Sequence, residues 1–407
     1  MLLKKMVRSL FVVGILVVLS SSSIFSMPNF ARKYGMACSA CHNPIPRLND
    51  FGFKFRAAGF RLPEEIGKDA SSENLGSYFA GRVQAKWNVN SSDNGAGTTT
   101  SSNQFTLHEI TLYPASGSFG KYLSSLFEMS FISGSEVELE NAYVRATFGD
   151  ENSYFTIRAG VFHPFEGYGA SDRPLGIARP LFQTTKATPG QFKSWGYDQA
   201  GVEFGYSLNN TFVRASVFNG ILGSGEPAQG GDLKKTPGDP SYNSKDIQLT
   251  VTQLLNKDGA GLSGYFYLGN VDLTNGATTY QDKFNRYAVY GSYPVGNILA
   301  LAGYQGGSDG KFDVTTKKAD GTFANNGYYG ELNYKIEDPF WLGLRYSQFD
   351  PSTSVSDNSV TAVTGIVHYS LEDGLFFVAE YNLKQTAKGA SVTQKNNDFE
   401  LRMVYIY

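Results

Sequence analysis

The feature that most constrains the fold is an alternation of apolar and polar residues that continues from residue 75 to residue 407. In the segment 328–336, tyrosine, leucine and isoleucine occupy most even positions, whereas polar residues such as Glu331 and Lys335 lie between them. Successive side chains of a β-strand point to opposite faces, so such a segment has one apolar and one polar face. The segment 375–384 repeats the pattern. The alternation predicts an all-β fold.

The connections between the predicted strands distinguish a transmembrane barrel from a soluble β-sandwich, which also alternates. Short turns such as 209–210 and 296–297 alternate with long polar loops. The long loops are predicted near residues 89–103, 164–196, 221–243, 306–321 and 386–395. Short periplasmic turns and longer extracellular loops are typical of outer-membrane barrels. We therefore predict a transmembrane antiparallel β-barrel of about 16 strands over residues 75–407, with a soluble extracellular β protein as the alternative.

The end of the chain and its composition agree with this class. Residues 399–407 alternate apolar side chains with Glu400 and Arg402 and finish on an aromatic residue, which looks like the C-terminal signal of bacterial outer-membrane barrels. Aromatic residues make up 14% of the chain. A net charge of −2 offers no basic field for nucleic acid, and two cysteines exclude a disulfide scaffold.

The first residues have the composition of a secretory signal. Lys4, Lys5 and Arg8 precede an apolar run at 10–19, and small residues follow it. A spanning helix needs about 20 apolar residues, so a membrane anchor is the weaker interpretation. We predict a signal peptide over residues 1–26 and a mature protein that leaves the cytoplasm.

The two cysteines form the motif Cys38-Ser39-Ala40-Cys41-His42. In c-type haem attachment, two thiols add to the two vinyl groups of one haem, and the adjacent histidine binds the iron. The alternatives are a redox dithiol, a disulfide or a pair of zinc ligands. A redox dithiol normally lies in a βαβ context, and zinc needs four ligands. We predict one covalently bound haem c on Cys38 and Cys41, with His42 as the proximal ligand.

A short amphipathic helix is predicted directly after the motif. Its apolar residues recur with helical spacing at Leu48, Phe51, Phe55 and Ala58. Such a helix packs on the rest of the protein, covers a face of the haem, or does both. Residues 27–74 are therefore predicted to be a small helical haem segment, followed by the barrel over 75–407.

The sixth ligand of the haem iron is predicted from strand parity. His368 shares a face with Thr364 and Ser370, opposite apolar neighbours, and is predicted to point into the lumen. His163 precedes a proline at the outer end of a strand, where the loop 164–196 could fold inward, and is the weaker candidate. His108 shares parity with apolar residues and is predicted to face outward. For each histidine the alternative is a solvated residue.

Together, these features resemble the fused outer-membrane monohaem cytochrome c–porin family of iron-oxidising bacteria. The resemblance is most specific in residues 30–36 leading into the cysteine motif, and in Pro46, Arg47, Leu48, Gly52 and Phe55 after it. The barrel portion resembles that family in architecture alone.

The resemblance implies an electron conduit of the bacterial outer membrane. Electrons would pass from extracellular Fe(II), or another metal, through the haem to a periplasmic cytochrome or other carrier. Any catalysis would be Fe(II) oxidation at the haem, because no general acid, nucleophile or phosphate loop stands out in the sequence. Two alternatives stay open: a porin for small-solute diffusion with an accessory haem plug, and the same conduit run outward to extracellular metal.

Overall fold

The computed structural model describes residues 28–132, 137–164, 167–168, 175–187, 198–220, 245–257, 259–275, 278–313, 318–387 and 393–407. The predicted signal peptide lies outside the described residues.

One antiparallel sheet forms a closed barrel. Its strands are β1 (Ala80–Asp93), β2 (Thr99–Tyr113), β3 (Gly117–Phe119), β4 (Leu123–Ile132), β5 (Val137–Gly149), β6 (Ser153–Phe162), β7 (Gln199–Leu208), β8 (Thr211–Phe218), β9 (Asp246–Leu254), β10 (Gly261–Asn275), β11 (Thr278–Val295), β12 (Ile298–Asp313), β13 (Lys318–Glu337), β14 (Phe340–Asp350), β15 (Val360–Glu372), β16 (Leu375–Ala387) and β17 (Thr393–Ile406). Strand β3 has three residues, which leaves 16 long strands among those described. The first and last strands pair from Arg82↔Ile406 to Asp93↔Lys395 and close the barrel. The prediction of an antiparallel barrel of about 16 strands is confirmed.

The two rims of the barrel differ in their connections. Two-residue turns such as 209–210, 296–297 and 373–374 lie at the rim where the chain also ends, which we call the short-turn rim. The opposite long-loop rim carries the connections between β6 and β7 and between β8 and β9. The predicted loop 221–243 and much of 164–196 lie outside the described residues.

Three of the predicted long loops are shorter than expected. Strands β1 and β2 stay paired up to Asp93↔Thr99, so the loop predicted at 89–103 shrinks to a tight connection. Strands likewise cover much of the ranges 306–321 and 386–395. These ranges are rich in glycine and polar residues, so the apolar–polar alternation disappears from the sequence while backbone pairing continues.

The outer face of the barrel carries an apolar belt. Exposed leucine and valine side chains lie between two bands of exposed aromatic residues. The band nearer the short-turn rim includes Tyr122, Phe148, Tyr293, Tyr334, Tyr369 and Tyr407, and the other includes Phe105, Tyr287, Tyr304, Tyr328, Tyr346 and Tyr381. An apolar band flanked by aromatic girdles is the outer surface of a membrane-spanning barrel. Among the described residues, no helix is both long and apolar enough to cross a bilayer.

The N-terminal segment, residues 28–79, lies inside the barrel. It contains helix α1 (Pro28–Tyr34) and helix α2 (Asp50–Ala57), so the predicted post-motif helix is confirmed. Phe55 and Phe60 belong to one buried cluster with Tyr113, Leu126 and Tyr143 of the wall. Burial of these side chains holds the segment against the barrel.

Part of the β6–β7 connection also packs inside the barrel. Residues 175–187, which we call the inward segment, contain the one-turn helix α3 (Leu181–Thr184). Leu175 and Phe182 are fully buried, and the Phe182 ring lies 5.7 Å from that of Tyr329 on β13. The expectation that this loop folds inward is confirmed for its described part.

Polar contacts fix the N-terminal segment at the short-turn rim. The guanidinium of Arg61 is buried and donates to the carbonyls of Leu123 at 2.7 Å and Gly120 at 2.9 Å. On the wall, Arg145 donates to the carbonyls of Arg56 and Ala57 at the end of α2. Carbonyls at a helix end lack partners within the helix, so these donors satisfy groups that would otherwise be buried unpaired.

Candidate functional site

A cavity of about 370 Å³ lies between the N-terminal segment, the inward segment and the barrel wall. The three motif residues Cys38, Cys41 and His42 all border it. The apolar lining includes Phe30, Met36, Leu48, Phe55, Leu126, Leu175, Ile177, Phe376, Val378, Val404 and Ile406. The wall residues come from β1, β2, β4, β5, β16 and β17. The sequence motif therefore opens onto one partly open and mainly apolar space.

A local hydrogen-bonded turn holds the motif. Residues Cys38–Ala40 form a 3-10 turn, and the backbone amide of His42 donates to the Cys38 carbonyl at 3.0 Å. Asn49 caps α2 by accepting from the Gly52 amide at 2.9 Å, and its own amide group donates to the Ala40 carbonyl at 3.0 Å. The start of α2 and the motif turn are thus joined directly.

Gly52 permits the close packing of α2 on this turn. A Cβ atom at this position would lie 2.2 Å from the Cys41 carbonyl oxygen, well inside van der Waals contact. Only glycine lets the backbone approach so closely.

The two thiols are not joined to each other. Cys38 is buried and Cys41 is half-buried, and neither takes part in a disulfide in this structure. Burial raises the pKa of the Cys41 thiol to about 11, which keeps it protonated at neutral pH. Within the described part of the chain, no group of three or more His, Cys, Asp and Glu side chains is arranged to hold a metal ion.

The His42 ring is oriented by a backbone carbonyl. Its Nδ1 atom lies 3.2 Å from the Pro46 carbonyl oxygen, which can only accept a hydrogen bond. The proton is therefore on Nδ1, and Nε2 is the basic nitrogen of the ring. Histidines that bind metals commonly donate their second nitrogen to a carbonyl in this way. Two thiols and one oriented imidazole on an apolar cavity can hold a flat apolar cofactor by two thioether bonds and one axial nitrogen.

One wall of the cavity carries a connected set of charged groups. Arg82 on β1 forms ion pairs with Glu109 at 2.5 Å and with Glu128 at 3.4 Å. The hydroxyl of Tyr113 donates to Glu128 at 2.8 Å, and the amide of Asn141 donates to the same carboxylate at 2.7 Å. The members of this set lie on the neighbouring strands β1, β2, β4 and β5, and no sequence motif links them, so the sequence alone did not indicate it.

His368 faces the lumen, as its parity predicted, and is fully buried. Its neighbours Val363 and Val367 are 42% and 37% exposed on the outer face, and Thr364 is buried with it. The ring stacks on Phe376 with centroids 5.1 Å apart, and Phe376 borders the cavity. His368 itself is not among the residues that line the cavity. The structure brings it next to the site but not into it.

The other two histidines also lie away from the cavity lining. His163 follows the last residue of β6 and is half-buried. His108 was predicted to face outward, and the structure corrects this. The pairing of β1 with β2 shifts between Gln84 and Ala85, opposite His108, so the alternation slips by one residue. Leu107 is exposed on the outer face, whereas His108 and Glu109 share the lumen side.

The range 306–321, predicted to be a long loop, contains a carboxylate that is not solvated. Asp309 lies in β12, fully buried, with its carboxylate 2.8 Å from Arg286 and 2.6 Å from the Asn325 amide. The strand continues through the range predicted to be a loop, and this turns the side chain into the lumen.

Known structures resemble the barrel, whereas no protein-family model and no curated protein matches the chain. An anion-selective porin from Comamonas acidovorans superposes with a TM-score of 0.55 at 14% identity, over 80% of this chain and 98% of the porin. OprB of Pseudomonas putida gives 0.54 at 8% identity over 81% and 94%. The outer membrane channel DcaP of Acinetobacter baumannii gives 0.53 at 13% identity over 81% and 96%.

At these identities the likeness shows a shared fold. The barrel has the architecture of outer-membrane porins, and its apolar belt with aromatic girdles places the protein in an outer membrane. The short-turn rim is then the periplasmic side, and the long-loop rim is the extracellular side.

Proposed function

We propose that the protein is an outer-membrane electron conduit in which a single haem c, held inside a porin-like barrel, passes electrons between extracellular Fe(II) and a periplasmic carrier. The observation that carries the proposal is that Cys38, Cys41 and His42 all border one cavity enclosed between the N-terminal segment and the wall. The motif is thus part of the barrel interior and not a tethered domain. The resemblance to fused cytochrome–porins supports the same function.

The residues around the cavity fit a covalently attached haem. The volume of about 370 Å³ lies in the range of about 300–1,000 Å³ typical of ligand sites. The lining is mainly apolar, which suits a porphyrin plane. Arg56, Arg179 and Arg402 border the cavity and can pair with propionates. When bound, the haem supplies one-electron exchange at its iron, with a potential set by axial ligands and burial.

The chain's own residues have separate tasks in this arrangement. Cys38 and Cys41 would hold the group covalently, and His42, fixed by Pro46, would supply the proximal nitrogen. Phe30, Phe55 and Phe376 exclude water from the faces of the cavity. For the sixth position, His368 stays a prediction, with His163 as the weaker candidate. The Phe376 ring, stacked on His368, would have to turn aside for that imidazole to enter the cavity.

A porin for small-solute diffusion is the second candidate, because the solved structures of similar fold are porins and channels. The interior argues against a wide pore. Arg145, Arg158, Arg286 and Arg345 point into the lumen and are at most 1% exposed, and Tyr143 and Tyr290 are buried with them. The lumen wall of a water-filled channel would be accessible to water. The same conduit run outward, from a periplasmic carrier to extracellular metal, uses the same geometry.

The experiment that tests the proposal begins with covalent attachment. In a host that matures cytochromes c, the native chain should keep haem stain on a denaturing gel, and Cys38→Ala and Cys41→Ala should each lose most of it. Ser39→Ala, in the same turn, is the matched control and should stain like the native chain. An unstained native chain would overturn the haem assignment.

Electron transfer is tested on the haem-loaded protein. With Fe(II) added only outside sealed proteoliposomes that enclose an oxidised acceptor, the acceptor should become reduced, while the liposomes keep a low ion conductance. A steady conductance that does not depend on haem redox state, without acceptor reduction, would favour the porin. Spectra of His368→Ala and His163→Ala would assign the sixth ligand, since loss of that ligand changes the low-spin spectrum.

A further inference from the structure

The ion pairs of the lumen wall fall into two groups by water access. The pairs Arg158–Glu203, Arg286–Asp309 and Arg345–Glu331 have side chains that are 0–2% exposed. The pairs on the wall formed by β17 and β1 are different. In Lys86–Glu400 the side chains are 22% and 19% exposed, and in Arg402–Glu400 they are 18% and 19% exposed.

The accessible groups form one strip along this wall, interrupted on β1 by the buried Asn88. Asn90 and Asp398 are register partners in the β1–β17 pair, and both are half-buried. Below them lie Lys86, Glu400 and Arg402, and Arg402 also borders the cavity. We call this strip, Asn90–Asp398 down to Lys86–Arg402, the vestibule. The bulge adds the His108 ring to it, since its charged neighbours are Arg402, Lys86, Glu109 and Glu400.

Water access continues down to the cavity wall. Arg82, which borders the cavity, has a side chain that is 14% exposed, and its partner Glu109 is 10% exposed. The opposite side of the lumen is filled by the inward segment, which includes Phe182, and by aromatic residues of the wall such as Tyr290. Among the described residues, the partly exposed charged side chains of the lumen therefore lie along β17 and β1.

The cavity is deep in the barrel when measured from the extracellular side. Strand β17 runs nine residues from Arg402 to its other end at Thr393. At about 3.4 Å per residue and a tilt of about 40°, this is roughly 23 Å along the barrel axis. A protein or mineral surface at the extracellular rim cannot touch a group held at the cavity.

We propose that the vestibule is the entry route by which a small hydrated ion reaches the cavity from the extracellular side. This inference rests on the proposed function for the identity of the group in the cavity, but the route is a property of the barrel. The vestibule carries carboxylates, ammonium and guanidinium groups together, and such a lining keeps an ion hydrated along its path. The extracellular reactant is therefore a small soluble ion, and larger donors exchange electrons only through such an ion.

The test is thiol accessibility at two positions of similar height in the barrel. Lys86→Cys lies in the vestibule, and Ser216→Cys, whose native side chain is 1% exposed, points into the lumen from β8. A small membrane-impermeant thiol reagent is added to the extracellular side of oriented proteoliposomes that contain the haem-loaded protein. Lys86→Cys should be modified at least about tenfold faster than Ser216→Cys, because thiol modification follows exposure. Unchanged heat-modifiability on a gel shows that each variant has folded.

Two further measurements complete the test. The same reagent coupled to a protein-sized carrier should leave Lys86→Cys unmodified, and so should the small reagent added from the periplasmic side. Equal rates at the two positions, or modification by the large reagent, would overturn the proposal. Failure of the proposed function is a separate result: the parent chain would then carry no haem stain, whatever the labelling rates at Lys86→Cys and Ser216→Cys.

Discussion

Arg61 provides a direct test of how firmly the N-terminal segment is fixed in the barrel. Its guanidinium is buried and donates to two wall carbonyls at 2.7 and 2.9 Å. Hydrogen bonds of charged donors contribute about 1.5–3 kcal/mol each, and they are not additive. Arg61→Met keeps the apolar stem but removes these bonds, so we expect undocking of the segment to become easier by about 3–5 kcal/mol, a factor of roughly 150 to 5,000.

Arg32→Met is the matched control. Arg32 also donates to backbone carbonyls, those of Gly76 at 2.8 Å and of Phe79, but its side chain is exposed. Water replaces such bonds easily, so the expected cost is about 1 kcal/mol or less.

The measurement is amide hydrogen exchange of α2 in the detergent-solubilised protein. The amide of Phe60, which donates to the Phe55 carbonyl at 2.9 Å, reports on the end of the helix. Its protection should fall by the undocking factor in Arg61→Met and by about fivefold or less in Arg32→Met. Equal protection in the two variants would refute the reasoning that burial of the guanidinium decides the strength of docking.

The remaining predictions concern three other sites. Gly52→Ala should lower the ratio of haem stain to total protein, because its Cβ would lie 2.2 Å from the Cys41 carbonyl oxygen and displace the motif turn. Arg286→Met should lower barrel stability by about 3–5 kcal/mol in thermal unfolding, since it leaves Asp309 buried without its ion pair, and adding Asp309→Leu should restore most of the loss. Burial lowers the pKa of Lys33 from 10.5 to about 8, so the docked segment binds fewer protons than the undocked one between these values. Docking should therefore strengthen as pH rises through that window, proteolysis of the segment should slow, and Lys33→Met should remove the dependence.

The barrel could be predicted from the sequence because lipid imposes an alternation wherever a strand crosses it. His368 follows the rule: its strand pairs with β14 without interruption from Phe340↔Tyr369 to Phe349↔Val360, so counting residues gave the correct face. The Cys38–His42 motif is local in the sequence, so it could be recognised without the fold. The helical spacing of apolar residues such as Leu48 and Phe55 predicted helix α2.

The errors have physical causes of their own. A bulge inserts one residue at His108, and no periodicity indicates where a bulge occurs. Above the membrane a strand no longer needs an apolar face. The segment that contains Asp309 was therefore predicted to be a loop, although Asp309 lies on a strand and pairs with Arg286 inside the lumen. The inward segment has no repeating pattern, and its burial depends on a space that other strands create.

The seam where the barrel closes is also a wall of the cavity. Arg82 and Gln84 of the first strand, and Val404 and Ile406 of the last, face the same space. These contacts have nearly the largest sequence separation the chain allows, and such contacts carry the highest loop-closure entropy and form late. The motif turn at residues 38–42 needs only its neighbours in sequence. We therefore expect the attachment chemistry to be ready early in folding, whereas the enclosure around it is completed only by the final pairing of strands.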